Sequence, residues 1–126
     1  MPTVSVRYIV EDVDEAIAFY AEHLGFEVVM HPAPAFAMLA RDDLRLLLSA
    51  PSTQGGGGTI LSEEARPQPG GWNRFQLEVA DLLAEVERLR AAGVRCRSDI
   101  IRGIGGDQVL IEDPSGNPVE LFAGRR

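Results

Sequence analysis

Apolar and polar residues alternate from Thr3 to Val10, with Val4, Val6, Tyr8 and Val10 on one face and Ser5, Arg7 and Ile9 on the other. Period-two alternation over this length predicts a half-buried strand. Asp12 then stands where a helix needs a side-chain acceptor, Glu15 completes an Asp-x-x-Glu capping pattern, and Val13, Ile17, Tyr20 and Leu24 recur at helical spacing. Gly25 supplies the left-handed residue that ends such a helix. Phe26 to Met30, Phe36 to Ala40 and Leu44 to Ala50 follow as predicted strands, broken by His31-Pro32-Ala33-Pro34 and by Arg41-Asp42-Asp43. The predicted order is strand, helix, strand, strand, strand.

The pattern then repeats. A constant shift lays Tyr8, Val10, Asp12, Val13, Ile17 and Tyr20 over Leu77, Val79, Asp81, Leu82, Val86 and Leu89, and with one deletion Gly25 falls on Gly93. Asn73 to Val79 reads as a strand, Asp81 as the cap of a second helix, and Val94 to Ser98, Gln108 to Glu112 and Pro118 to Phe122 as three more strands. The fold class expected is α+β, as two tandem βαβββ modules in a single domain: residues 3–50, a flexible connector over 51–71, and residues 72–123. The connector is rich in Pro, Gly, Ser and Gln and contains Gly55-Gly56-Gly57-Gly58. It lacks the preceding strand, following helix and Lys-Ser or Lys-Thr of a phosphate-binding loop, and a lid or pocket rim is the functional reading open to it.

Composition narrows the function classes. The chain has 126 residues, 45% of them apolar, and a formal net charge of -7 without a single lysine. One compact domain is the expectation, with neither nucleic acid nor an acidic membrane as partner, because either would require clustered basic side chains. The single cysteine, Cys96, leaves no internal disulfide and no cysteine metal cluster. No apolar run reaches the length of a membrane span and no leader precedes the first strand, so a cytoplasmic location is expected.

Candidate chemistry gathers near the C-terminus. Asp113-Pro114-Ser115-Gly116-Asn117 reads as a tight turn into the final strand, where period two puts Glu120 and Phe122 on one face and Val119 and Leu121 on the other. If the apolar faces of the opening strands pack on their helices, the opposite faces bring Ser5, Arg7, Arg74, Gln76 and Glu78 to a concave surface, and matching the module ends adds Leu46 opposite Glu120. Two arginines and two carboxylates there serve either a wetted salt-bridge network or a polar ligand site. Phe36, Trp72 and Phe122 offer stacking surfaces, although ordinary packing accounts equally well for Trp72. His23 near a helix C-terminus has a structural reading, His31 that of a pocket-rim residue, and Cys96 that of a small buried apolar side chain.

Taken together, Val10-Glu11-Asp12, Ala18-Phe19-Tyr20, Leu24-Gly25-Phe26, Val79-Ala80-Asp81 and Asp113-Pro114-Ser115-Gly116-Asn117 with Glu120-Leu121 resemble the vicinal oxygen chelate superfamily, which includes glyoxalase I, bleomycin-resistance proteins and extradiol dioxygenases. The resemblance spans essentially the whole chain. It implies a curved, half-open eight-stranded barrel and a homodimer. In the metal-dependent members it implies four ligands from the first and last strands of each module, positions held here by Ser5, Leu46, Arg74 and Glu120. Only Glu120 is an ordinary ligand, so no metal and no other cofactor is expected, and Arg74 is expected to neutralise Glu120 as the fixed positive charge. The function implied is that of a bleomycin-resistance-type protein sequestering a metabolite, natural product or drug. The alternatives are a superfamily enzyme, with Glu120 as catalytic base and Arg74 as oxyanion stabiliser, and a structural module with a disused site. A lyase, isomerase or epimerase suits the enzyme reading better than a metal-dependent glyoxalase or dioxygenase.

Overall fold

The computed structural model describes residues 2–125, which form two units divided at Gly70 and Gly71. The first unit contains β1 (Val4–Ile9), α1 (Val13–Leu24), β2 (Glu27–Ala33), β3 (Phe36–Arg41) and β4 (Leu44–Ser49). Its four strands lie in the order β1-β4-β3-β2, with β1 parallel to β4 and the other pairs antiparallel. The second contains β5 (Gln76–Glu78), α2 (Leu82–Ala91), β6 (Ile101–Arg102), β7 (Gly106–Glu112) and β8 (Pro118–Gly124), in the order β5-β8-β7-β6. The two orders are equivalent strand for strand. These are two βαβββ modules, and the fold is α+β.

The helices form where their caps predict. Asp12 accepts a hydrogen bond from the Glu15 N–H at 3.0 Å, and Asp81 accepts one from the Ala84 N–H at 3.0 Å. Each satisfies a donor that the first turn leaves without an intrahelical partner. Gly25 closes α1 with φ 70, a left-handed conformation that costs a glycine little. The buried face of α2 is Leu82, Val86 and Leu89; that of α1 is Val13, Ala16, Phe19, Tyr20 and Leu24. Ile17 is half-buried, because Ala16 and the larger Phe19 ring take the side of the stripe that faces the sheet.

Core residues alternate along the strands as period two demands. Tyr8, Ala37, Leu39, Leu46 and Leu48 are buried in the first module, and Leu77, Val109, Ile111, Val119 and Leu121 in the second. Burying a side chain of this size contributes about 1.5–3 kcal/mol. The opposite sheet faces are therefore left to other work.

Besides β5, which is shorter than the expected Asn73 to Val79, two segments differ from expectation. The His31-Pro32-Ala33 segment does not break β2, which runs through it with two register irregularities. This is possible because β2 is an edge strand, where proline's missing N–H deprives no neighbour of a ladder bond. Val94 to Ser98, by contrast, is not a regular strand. It touches β7 through an isolated Cys96–Ile111 bridge and irregular bonds such as Arg97 N–H to the Leu110 carbonyl at 2.7 Å, and the regular pairing with β7 is made by Ile101 and Arg102. Ser98 draws the chain away from a ladder, because its Oγ accepts the Leu110 N–H at 3.1 Å.

Candidate functional site

Glu120 is the chemical centre of the second module. Its Cα pairs with that of Gln76 in the parallel β5–β8 ladder, so the two side chains project from the same sheet face. Gln76 Nε2 donates to Glu120 Oε2 at 2.6 Å. Arg74 comes from just before β5 and donates from Nε to Glu120 Oε1 at 3.0 Å, while a second guanidinium nitrogen lies 2.9 Å from the same oxygen. The carboxylate is 9% exposed and its arginine partner 26%. A buried carboxylate is costly without compensation, and here both oxygens hold donors. Arg74 also donates from Nη1 to the Trp72 carbonyl at 3.2 Å, which ties the entry of β5 to the site.

The turn feeding β8 makes this placement rigid. Asp113 Oδ1 accepts the N–H groups of Ser115 and Asn117, each at 2.9 Å, and Asp113 Oδ2 accepts Asn117 Nδ2 at 3.0 Å. Gly116, at φ 86, completes the reversal. Nearby Arg97 bonds Glu112 Oε2 at 2.9 Å, the Gly71 carbonyl at 2.6 Å and the Gly116 carbonyl at 2.8 Å, and its guanidinium lies 4.6 Å from the centre of the Trp72 ring. Trp72 is thus held by a cation over one face while remaining 67% exposed. Phe122 is partly committed to packing: a Cβ on Gly106 would fall 2.6 Å from its ring. Glu78 and Gln76 are exposed on the same face as Glu120.

The first module carries a cavity of about 430 Å³, lined by Arg7 and Phe36 on its strands and by the glycines of residues 55–58. That glycine run is closed on itself: Ser52 N–H donates to the Gly58 carbonyl at 2.8 Å, Ile60 N–H to the Ser52 carbonyl at 2.8 Å, and Thr59 N–H to the Gly56 carbonyl at 3.2 Å. Arg7 and Ser5 are exposed and Phe36 is half-buried.

Leu46 requires a correction. It is fully buried, on the face of β4 that also carries Leu48, and it cannot reach a ligand. The pairing Arg7↔Leu47 in β1–β4 corresponds to Gln76↔Glu120 in β5–β8, so Leu47 occupies the position equivalent to Glu120. A one-residue slip reverses every side chain on a strand, and Leu46-Leu47-Leu48 gives no sequence cue to choose between registers. The other candidates separate by module: Ser5, Arg7 and Phe36 lie in the first, and Trp72, Arg74, Gln76, Glu78, Glu120 and Phe122 in the second.

A family model described as the glyoxalase/bleomycin resistance protein/dioxygenase superfamily matches residues 3–121. The chain belongs to this superfamily. Solved structures of the same fold include a lactoylglutathione lyase from Agrobacterium tumefaciens, with 24% identity, TM-score 0.74, and 96% of this chain and 92% of that one covered. A superfamily member from Sphaerobacter thermophilus DSM 20745 has 25% identity, TM-score 0.77 and coverage of 98% and 97%. TnmS3, an antibiotic-binding protein from Streptomyces sp. CB03234, has 22% identity, TM-score 0.74 and coverage of 99% and 97%. No curated protein sequence matches the chain significantly.

Within the superfamily frame, the positions expected to ligate a metal hold a serine, a leucine, an arginine and a carboxylate whose oxygens are both engaged. Among the described residues, no three His, Cys, Asp or Glu side chains are grouped to hold an ion. His23 packs edge-on against Phe19, with ring centres 5.5 Å apart, and His31 Nε2 lies 3.7 Å from Asp14. Sequence reasoning missed Arg97 and Ser49. Ser49 is buried, and its hydroxyl has no partner among the described residues. The clue to Arg97 was available in the carbonyl-rich turns around Gly71 and Gly116, which leave acceptors for a long cation; nothing in the sequence pointed to Ser49.

Proposed function

We propose that this protein is a small-molecule-binding member of the superfamily, of the bleomycin-resistance type, that holds a metabolite, natural product or drug without a divalent ion. The observation that carries this reading is the engagement of Glu120 by Arg74 and Gln76. A metal ligand needs a free lone pair directed at the ion, and catalytic sites use three or four such donors. The donor set here does not fit: a guanidinium cannot ligate, leucine has nothing to donate, and the one carboxylate is bound to a fixed cation. The same geometry favours binding over catalysis, because three nitrogens already crowd the Glu120 carboxylate and leave little room for a substrate proton donor. Gln76, Glu78 and Trp72 remain exposed to meet a ligand, and the antibiotic-binding neighbour lends support at the level of fold.

The reading is tested by a thermal-shift screen of the purified chain against metabolites and aromatic antibiotics. A ligand at one hundred times its dissociation constant adds about 2.7 kcal/mol of stability, which is readily seen. We expect a stabilising compound whose affinity falls about tenfold or more in Gln76→Ala or Glu78→Ala. Metal-dependent turnover of a bound compound would overturn the assignment, and full affinity in both variants would overturn its placement at the second module.

A further inference from the structure

The cavity of the first module has no role in the reading above. Its volume of about 430 Å³ suits a small organic ligand. Arg7 is its only charged residue; the remaining wall is Phe36, proline, alanines, Ser52, Gln54 and glycines. This guanidinium is left unneutralised in a chain with more acids than bases. Arg74, Arg88, Arg90, Arg97 and Arg125 each reach a carboxylate, whereas Arg7 has no hydrogen bond or ion pair among the described residues. The N–H groups of Gly55, Gly56, Gly57 and Gly58 likewise donate to no group among the described residues. Gly55 and Gly56 take φ values of 91 and 85, and successive free N–H groups in such a turn form a concavity for anions.

The loop and the cation are fitted to each other. A Cβ on Gly57 would fall 2.3 Å from Arg7 Cζ, so the guanidinium occupies space that only glycine leaves open. Unpaired positive charge, a run of free amides and one aromatic ring thus border the same space.

We propose that this cavity binds a small aromatic carboxylate, with Arg7 and the Gly55–Gly58 amides holding the anion and Phe36 contacting the ring. The assignment names a ligand class for the first module. It rests on the small-molecule-binding reading but not on the Arg74–Glu120 pair.

The test uses the full chain, 1-naphthoate as probe and 1-naphthamide as its neutral control, titrated by two-dimensional amide NMR. Naphthoate should shift the Gly55–Gly58 amides and bind about fivefold or more tightly than the amide, a ratio in keeping with one partly exposed charge pair. Arg7→Gln should erase that ratio. Gly57→Ala should reduce it as well while leaving the melting temperature nearly unchanged, since the added methyl displaces a flexible side-chain end. Equal binding of acid and amide, or naphthoate binding unchanged in Arg7→Gln, would overturn the proposal. Shifts confined to residues 72–123 would also overturn it, yet leave small-molecule binding by the second module standing.

Discussion

Replacing Arg74 with alanine should be among the most damaging single changes on the sheet face of the second module. The substitution leaves Glu120, 9% exposed, with Gln76 as its remaining partner from the network and no compensating charge. Breaking a fully buried pair costs about 3–5 kcal/mol; because Arg74 is itself about a quarter exposed, some screening is already present and about 2–4 kcal/mol is expected. The reverse change, Glu120→Gln, should cost less, about 1–2 kcal/mol: the amide oxygen still accepts a hydrogen bond, and the orphaned guanidinium can turn towards water. Trp72 is the only tryptophan and lies in this module, so its fluorescence during urea unfolding reports on this module. With a urea dependence of about 1.5–2 kcal/mol per molar, Arg74→Ala should lower the midpoint by roughly one to three molar. Far-ultraviolet circular dichroism should follow the same transition if the loss is cooperative. Equal losses in the two variants, or an Arg74→Ala midpoint within about 0.3 M of wild type, would refute the reasoning, since either would mean that water screens the carboxylate as well as it does the arginine.

Further consequences are open to the same assays. Gly58→Ala should destabilise the first module by more than about 2 kcal/mol in thermal or chemical unfolding, because its Cβ would fall 2.1 Å from the Ala50 carbonyl oxygen, a backbone atom with little freedom to retreat. Asp113→Ala should cost about 1–3 kcal/mol by taking the acceptor from the Ser115 and Asn117 N–H groups of a partly buried turn. Arg97→Ala should cost about 1–3 kcal/mol and alter Trp72 emission in the native state, as it removes the cation over the ring together with bonds to Glu112, Gly71 and Gly116.

Much of the architecture was legible because local signals agreed with one another. Asp12 and Asp81 marked helix starts, Gly25 marked a helix end, and the repeated pattern foretold two βαβββ modules. The meeting of Arg74 with Glu120 was expected from the superfamily resemblance, which sets both at ligand positions, and the two side chains do form an ion pair. What failed was information that sequence does not carry locally. The apolar run Leu46-Leu47-Leu48 fits either register, and only pairing with β1 decides that Leu47 is the counterpart of Glu120. Pro32 signals a break unless the strand is known to lie at an edge. Ser98 and Arg97 divert a stretch with strand-like composition through side-chain bonds to distant carbonyl and amide groups. The contact between Gly57 and Arg7 spans the whole first module in sequence and leaves no pattern at either end.

A guanidinium, rather than a divalent ion, is proposed to neutralise Glu120. Elemental analysis of the purified chain for zinc, nickel, iron and manganese, before and after loading and dialysis, tests it directly. Far less than one equivalent of any metal is expected, with the same residual amount in Glu120→Gln. Close to one equivalent in the wild-type protein, lost in Glu120→Gln, would contradict it.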